Sequence, residues 1–390
     1  MTEPIAPEAG PRARGGPAVA SVALAALVLV GSELLPVGLL PGLAASLHVS
    51  VGTAGLLVVV PGLVAAVTAP LAPILARDWD RRTVLIAVTA LIVLADAVTA
   101  ATERLAVVIA GRVLLGVAVG AFWTLGVGVV HRLVPAAVAD RATSTVTAGV
   151  SIGSVLSLPL GALIGDAWRP AFAGGAAIAL VALVAQLRAL PPIPAMASVR
   201  VGTLAAFVRN RWARAVVVVT FLLFVGNFSA ATYVVPYLRD GAGLPAAAVS
   251  AIALAYGVAG VAGNFAAGFT AGRSLGGTLR VAAVALAAAL GLAVLAVSAE
   301  PVAVAAVILW GAAFGAVPLC LQTWIIRGAG AEVEAGLAVF MSTTQIALAL
   351  GSLAGGLLVD GRGILTTLGF ATVVSAGAAL VLTTVRAPSA

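Results

Sequence analysis

Residues 18–47 read AVASVALAALVLVGSELLPVGLLPGLAASL, an apolar stretch in which Glu33 is the only ionisable side chain. A helix needs roughly 20 apolar residues to cross the ~30 Å hydrocarbon core of a bilayer, so this stretch is long enough to span a membrane. Arg12 and Arg14 precede it, as in a signal peptide, but the apolar run is too long for such a segment. The stretch therefore predicts an uncleaved first membrane-spanning helix.

The composition of the whole chain indicates the same class of protein. Of its 390 residues, 62% are apolar and only 9% are charged, whereas soluble domains are about 45–50% apolar and about 25% charged. The apolar segments have the length of helices, which argues against an outer-membrane barrel. Because helices are the remaining way to satisfy backbone polar groups inside lipid, we predict an all-α integral membrane protein.

Cutting the sequence at charged residues and turn signals gives twelve segments long enough to cross a membrane. They lie near 18–45, 52–76, 83–101, 105–130, 142–165, 170–189, 214–238, 246–271, 281–298, 302–326, 335–359 and 364–385. The short loops between the first and second and between the ninth and tenth segments carry little charge. They are the points at which this count is weakest.

The basic residues, all of them arginine, are distributed unevenly over the loops. If the N-terminus is cytoplasmic, sixteen arginines fall on the inner side and four on the outer side, namely Arg104, Arg169, Arg239 and Arg362. This asymmetry follows the positive-inside rule and predicts that both termini are cytoplasmic. It also accounts for most of the net charge of +7, so the basic balance does not indicate binding to nucleic acid.

An internal repeat predicts two pseudo-symmetric six-helix bundles. Residues 161–166 read GALIGD at the end of the fifth segment, and residues 355–360 read GGLLVD at the end of the eleventh, an offset of 194. The first and seventh segments match at an offset of 195. Because six is even, both copies have the same orientation, with their axis along the membrane normal. That is the arrangement of rocker-type secondary transporters, whose substrate site lies between the halves.

A long polar break separates the two copies. Residues 191–213 contain three prolines and three arginines, and we predict that they form a cytoplasmic linker. The predicted organisation is an N-terminal tail over 1–16, bundles over 17–190 and 214–386, and a C-terminal tail over 387–390.

Several motifs in this order identify a family. Residues 31–41 read GSELLPVGLLP, similar to G-[ST]-E-F-x-x-x-G-L-L-P, and residues 111–116 read GRVLLG, similar to R-x-x-x-G. The chain resembles the major facilitator superfamily over about 20–385, and in particular its bacterial drug:proton antiporters and sugar-efflux transporters. The resemblance implies a twelve-helix major facilitator fold in the bacterial cytoplasmic membrane.

Small residues and a proline are concentrated in the fifth segment, as in the glycine- and proline-rich antiporter motif, and they recur in part in the eleventh. Small residues let helices approach closely, as at a moving interface between halves, and proline can bend a span. The predicted helix-packing residues are Gly149, Gly153, Pro159, Gly161, Gly351 and Gly355.

The loop after the second segment departs from the pattern of the superfamily. Residues 73–82 read PILARDWDRR where the family motif is G-x-L-x-D-x-x-G-R-[RK]. The final arginine pair is kept, but both glycines and the aspartate of the motif are replaced. By the resemblance, a gating role on the cytoplasmic side falls to Arg77, Asp78, Arg81 and Arg82.

Three ionisable residues inside the spans are candidates for proton coupling. A lipid-facing acid would cost roughly 2.5–3.5 kcal/mol on insertion scales, so Glu33 is expected to face the bundle interior, where it could alternate between neutral and charged forms. Asp96 and Arg112 lie at similar depths in adjacent segments, and we expect an ion pair that takes part in coupling or gating. The alternatives are a structural Glu33 held by a helix partner and a static Asp96–Arg112 bridge.

Neutral polar and aromatic residues supply candidates for a substrate cavity. Amide side chains can hydrogen-bond a substrate without carrying charge, although in lipid they also hold helices together at ~0.6 kcal/mol each. Aromatic residues can form cavity walls, but they are more often core or interfacial residues. The candidates are Asn227, Asn264, Trp310, Gln322, Gln345, Phe122 and Tyr256.

The predicted function is export of a small organic molecule, drug-like or sugar-like, in exchange for protons by alternating access. The rivals are a proton symporter or facilitator that imports a metabolite, and a membrane sensor that does not transport. One cysteine and two histidines leave no catalytic constellation and no metal site, so an enzyme is not predicted. The expected partners are lipid, protons and the substrate, without a cofactor or nucleic acid. A monomer is favoured because the fold needs no second subunit to enclose its cavity.

Overall fold

A computed structural model describes residues 11–126, 129–135, 138–195, 207, 209–330 and 333–385. Within these ranges the chain consists of helices joined by short connections, and they contain no strand. The predicted all-helical membrane fold is confirmed.

Twelve helices, α1 to α12, correspond to the predicted spans. The first half contains α1 (Pro11–Ser46), α2 (Val51–Leu75), α3 (Arg81–Ala100), α4 (Leu105–Gly126), α5 (Ala139–Ile164) and α6 (Trp168–Ala189). The second half contains α7 (Arg211–Ala231), α8 and α9 (together Ala246–Leu295), α10 (Glu300–Gly328), α11 (Val333–Arg362) and α12 (Ile364–Thr384).

The helix that contains α8 and α9 is two spans joined end to end. Its 50 residues would reach about 75 Å at ~1.5 Å per residue, far more than the ~30 Å hydrocarbon core. Its backbone leaves the helical region at Ser274, with φ −155° and ψ 92°. We therefore divide it into α8 (246–273) and α9 (275–295), which makes the eleven long apolar helices of the described chain into twelve spans.

α1 begins inside the predicted N-terminal tail, and α7 begins inside the predicted linker. α1 begins at Pro11, so residues 11–16 of the predicted tail are helical, and proline is well tolerated in the first turn of a helix. α7 begins at Arg211 inside the predicted linker, because the Asn210 side chain accepts a hydrogen bond from Trp212 N at 3.0 Å and caps the helix. The rest of the tail (1–10), most of the linker (196–206 and 208) and residues 386–390 lie outside the described residues.

The two halves repeat the same helix pairing. In the first half α1 packs on α5, α2 on α4 and α3 on α6, and in the second half α7 packs on α11, α8 on α10 and α9 on α12. The halves meet where α2 packs on α11 and where α5 packs on α8. The repeat relates α2 to α8 and α5 to α11, so it maps each of these two interfaces onto the other. The observed packing therefore has the predicted pseudo-symmetry.

The predicted packing glycines lie within the halves and not between them. A Cβ at Gly149 or Gly153 would meet backbone carbonyls of α1, and a Cβ at Gly161 would also meet α1 backbone. In the second half, Gly351 and Gly355 approach the backbone of α7 in the same way. This corrects the expectation that these glycines form a moving interface, because the closest helix pairs are internal to each half.

A larger side chain at Gly149 should therefore weaken the first half. The Gly149→Val change places a Cβ against the carbonyl of Ala23, and overpacking of this kind typically costs ~1–3 kcal/mol. We expect a thermal midpoint in detergent several degrees below that of the parent. Gly174→Val in α6 is the matched control, since among the described residues no atom outside its own stretch of helix lies within 4 Å of its added Cβ. Equal midpoints for the two variants would contradict the packing.

Candidate functional site

The hydrogen bonds between the halves show on which side of the protein the halves are held together. We call the side where α1 begins the terminal side and the side where α1 ends the far side. On the far side, Asp360 at the end of α11 accepts hydrogen bonds from Gly52 N at 2.9 Å and from Ser50 Oγ at 2.6 Å. Ser50 also caps α2, so the Asp360 carboxylate lies at the positive end of that helix. We call these three residues the far-side latch.

Two further hydrogen bonds join the halves in the described chain. Ser250 Oγ in α8 donates to the carbonyl of Pro159 in α5 at 2.8 Å, and Gln345 Nε2 in α11 donates to Glu33 Oε1 in α1 at 3.3 Å. Both of these hydrogen bonds lie near the middle of the spans or closer to the far side. At the terminal side Arg77 and Asp78 are exposed and pair with each other at 3.5 Å. The described conformation is therefore closed on the far side.

A cavity of about 580 Å³ lies between the halves, lined by α1, α5, α7, α8 and α10. Its described lining contains no charged side chain. Amide groups of the second half and hydroxyl groups of α5 face each other across it, together with aromatic rings. The polar and aromatic lining residues are Asn227, Thr232, Asn264, Gln322, Thr147, Ser151, Ser154, Ser157, Phe228, Tyr256 and Phe314. Such a site suits a neutral molecule that has both hydrogen-bonding groups and an apolar face.

A buried charge network, formed by Ser32, Glu33, Asp96 and Arg112, lies in the first half. Arg112 and Asp96 are both fully buried, and Arg112 Nη2 is 3.9 Å from Asp96 Oδ1. Arg112 Nη1 donates to the carbonyl of Ser32 at 2.7 Å, and Ser32 Oγ donates to the Asp96 carboxylate. The guanidinium also stacks on Phe172, 4.5 Å from the ring centroid. The network thus ties α1, α3, α4 and α6 together.

Glu33 connects this network to the second half. Its side chain is 6% exposed, follows Ser32 in α1, and lies close enough to Arg112 for an electrostatic interaction. Its carboxylate accepts the amide hydrogen bond of Gln345 across the interface between the halves. The structure therefore brings together all three residues that the sequence singled out for proton coupling.

The structure separates the seven cavity candidates into two groups. Asn227, Asn264, Gln322 and Tyr256 line the cavity. The other three are not among its lining residues, because each is buried against the protein instead. Phe122 packs edge-on against Trp123 in the core of the first half, Trp310 lies behind Asn227, and Gln345 faces Glu33.

The sequence prediction missed the hydroxyl groups of α5. Thr147, Ser151 and Ser154 all line the cavity, and their spacing of four and three residues places them on one face of a helix. That periodicity is readable from the sequence and is the signal that could have found them. Phe228 and Phe314, which contact each other with their centroids 5.8 Å apart, carry no comparable signal.

The loop between α2 and α3 is held within the first half. Asp80 accepts a hydrogen bond from Ile193 N at 2.9 Å, and Arg82 Nη2 donates to the carbonyl of Leu187 at 2.9 Å. Arg81 is buried and its Nη1 donates to the carbonyl of Ala76 at 2.8 Å. The loop is thus fastened to the end of α6, and a gating role for it remains a prediction.

Known proteins resemble the chain in sequence and in structure. A sequence profile of the Major Facilitator Superfamily matches residues 22–340. The chain is 34% identical over 352 residues to the transcription regulatory protein OpdE of Pseudomonas aeruginosa, covering 88% of this chain and 87% of that protein. It is 30% identical over 355 residues to the purine ribonucleoside efflux pump NepI of Salmonella paratyphi C, covering 90% and 89%.

Solved structures of the same fold are also found. The crystal structure of the nucleoside transporter NupG superposes with a TM-score of 0.78 at 15% identity, covering 94% of this chain and 98% of that chain. The family match and the fold agree with the two six-helix halves and the cavity between them. The chain is a multi-pass membrane protein and belongs to the Major Facilitator Superfamily, a family of transporters rather than enzymes.

Proposed function

We propose that this transporter exports a small neutral organic molecule, of the nucleoside or drug-like class, across the bacterial cytoplasmic membrane in exchange for protons. The observation that carries the proposal is the hydrogen bond from Gln345 to Glu33, which joins a buried acid of one half to the other half. The expected partners are lipid, protons and the substrate, with the proton gradient as the energy source and no cofactor. We further propose that the protein acts as a monomer.

Charge balance supports a proton site in the network. Glu33 and Asp96 carry two negative charges when ionised, whereas Arg112 carries one positive charge. Buried charges are costly unless they are paired, so the network is neutral when one carboxyl group holds a proton. Asp96 faces the guanidinium and the Ser32 hydroxyl, while Glu33 is held by the uncharged Gln345. This arrangement favours Glu33 as the group that gains and loses the proton.

Protonation of Glu33 would change how the halves meet. An ionised carboxylate only accepts hydrogen bonds and binds an amide N–H strongly, whereas a protonated carboxyl accepts more weakly. The proton therefore weakens the Gln345–Glu33 bond and shifts the balance between the two arrangements of the halves. A substrate in the adjacent cavity biases the same balance, so proton and substrate affect each other's binding reciprocally.

The cavity and the relatives support the same substrate class. Its volume of about 580 Å³ lies within the ≈ 300–1,000 Å³ of small-molecule sites. Its lining has neutral amides, hydroxyls and aromatic rings, which can bind a heterocycle and a sugar without an ionic contact. One relative is named as a purine ribonucleoside efflux pump. With cytoplasmic termini, as the arginine distribution predicts, the terminal side faces the cytoplasm. We propose that substrate enters from that side, because the halves are hydrogen-bonded to each other on the far side.

The test is substrate-triggered proton flux in inside-out vesicles that hold a preformed pH gradient. We would add purine ribonucleosides, phenicol-like drugs, lipophilic cations and pentoses to vesicles with the parent protein or with Glu33→Gln, which cannot release a proton. We expect flux for one class with the parent and none with Glu33→Gln. Glu300→Gln, at the start of α10, makes the same change in an exposed acid and is the control. Undiminished flux with Glu33→Gln would contradict coupling at this residue.

A second candidate is a membrane sensor, favoured by the 34% identity to a protein named as a transcription regulatory protein. A sensor would bind the molecule without moving it. Binding by the purified protein without flux in vesicles, together with a phenotype that survives Glu33→Gln, would support this reading. Uptake into right-side-out vesicles driven by an inward proton gradient would instead support an importer.

A further inference from the structure

We infer that Trp310 orients the side-chain amide of Asn227 so that the cavity offers its substrate a hydrogen-bond donor, and not an acceptor, at this position. The inference rests on the proposed function in that the substrate occupies the cavity. It makes Trp310 a positioning residue that acts through Asn227. It also predicts that the substrate carries a carbonyl oxygen or an unprotonated ring nitrogen at the atom that meets Asn227.

The orientation follows from the chemistry of the indole. Trp310 is fully buried in α10, and its Nε1 donates to Asn227 Oδ1 at 2.8 Å. An indole N–H can only donate, while an amide has one accepting oxygen and one donating nitrogen. The oxygen of Asn227 must therefore face Trp310, and the NH₂ group occupies the other branch of the side chain.

The NH₂ group of Asn227 is left for a ligand. Among the described residues no group accepts a hydrogen bond from Asn227 Nδ2. This nitrogen is nevertheless not completely enclosed by protein atoms. Asn227 is 1% exposed and belongs to the cavity wall. Its remaining accessible surface is thus a donor at the cavity, and a donor without an acceptor favours a ligand that supplies one.

Trp310 itself has little freedom to move. Its ring packs edge-on against Tyr256, with centroids 5.5 Å apart and an interplanar angle of 77°. The next residue, Gly311, lies so close to α8 that an added Cβ would meet the carbonyl of Tyr256. This contact between α8 and α10 holds the indole in place, so the amide of Asn227 has one orientation before the substrate arrives.

The experiment compares adenosine with 1-deaza-, 3-deaza- and 7-deazaadenosine, each of which replaces one accepting ring nitrogen with C–H. Binding to the purified protein and transport by vesicles would be measured for the parent, Trp310→Phe and Asn227→Ala. We expect the parent to bind one analogue about tenfold more weakly than adenosine, the size of effect expected for one hydrogen bond. Trp310→Phe should reduce that ratio toward one, through KM and not through the maximal rate.

Two further variants separate positioning from structure. Trp324→Phe removes another fully buried indole from the same helix, and it should keep the parent's tenfold ratio. The Nε1 of Trp324 has no hydrogen-bond partner among the described residues. In the Asn227→Ala background, Trp310→Phe should cause no further change in the ratio, because the amide on which it acts is gone.

Each outcome decides between the two proposals. Equal binding of adenosine and all three analogues by the parent, or an unchanged ratio in Trp310→Phe, would overturn the inference and leave the proposed function standing. A tenfold ratio that depends on Trp310 without any proton flux would support the inference and overturn coupled export. Absence of adenosine binding would overturn an adenine ring nitrogen as the group that meets Asn227, together with adenosine as a substrate.

Discussion

Replacement of Arg112 by methionine is expected to abolish coupled transport and to lower the yield of folded protein. The guanidinium is fully buried beside Asp96 and donates to the backbone of α1 at Ser32. Removing it leaves the Asp96 carboxylate buried without its counter-charge, and breaking a buried pair in this way costs ~3–5 kcal/mol. The backbone before Glu33 loses its donor as well, so we expect the position of the coupling acid to change.

The double variant Arg112→Met with Asp96→Asn distinguishes the two consequences. Removing both charges leaves neither member of the pair buried without its counter-charge. Replacing both members of a buried ion pair with uncharged residues often changes stability little. We therefore expect the double variant to regain most of the thermal midpoint in detergent while transport stays absent, because Ser32 and Glu33 still lack Arg112. Thermal scans followed by size-exclusion chromatography measure the first effect and vesicle flux the second. If Arg112→Met alone had the same thermal midpoint as the parent, the Asp96–Arg112 pair would not stabilise the folded protein.

Gly52→Val is expected to open the far side of the protein. A Cβ at Gly52 would collide with the Asp360 carboxylate and with the backbone of Gly356, so α11 cannot approach the start of α2. The two latch hydrogen bonds to Asp360 are lost at the same time. Because these bonds hold the halves together only when the far side is closed, their loss favours the opposite arrangement.

The opening can be measured with a single reporter cysteine. The natural thiol, Cys320, is buried and would be replaced by alanine, and Ser154→Cys would place a reporter in the cavity wall. We expect a membrane-impermeant maleimide added from the far side to label the Gly52→Val protein several-fold faster than its parent. Gly174→Val, where the added Cβ meets no other described part of the protein within 4 Å, should leave the rate unchanged. Equal labelling of all three proteins would mean that the latch does not control access.

The sequence alone was sufficient for the spans, the repeat and the charged candidates. Each span must be apolar over about 20 residues, and a charged residue inside a span is costly and therefore rare. Both the spans and the charged residues inside them can therefore be recognised from the sequence. Glu33, Asp96 and Arg112 could be found for that reason. The division of α8 from α9 at Ser274 falls in the stretch where arginines interrupt the apolar pattern.

Only the tertiary structure decided what each side chain faces. Helical periodicity places residues on a face, but it does not say which of several neighbouring helices that face meets. The packing glycines therefore turned out to join helices within a half, Gln345 was found to reach Glu33 across the halves, and Trp310 was found behind Asn227 and not in the cavity. In lipid every face of a span can be apolar, so hydrophobic patterning identifies the helices of this protein while the contacts between them arise from packing and hydrogen bonding in three dimensions.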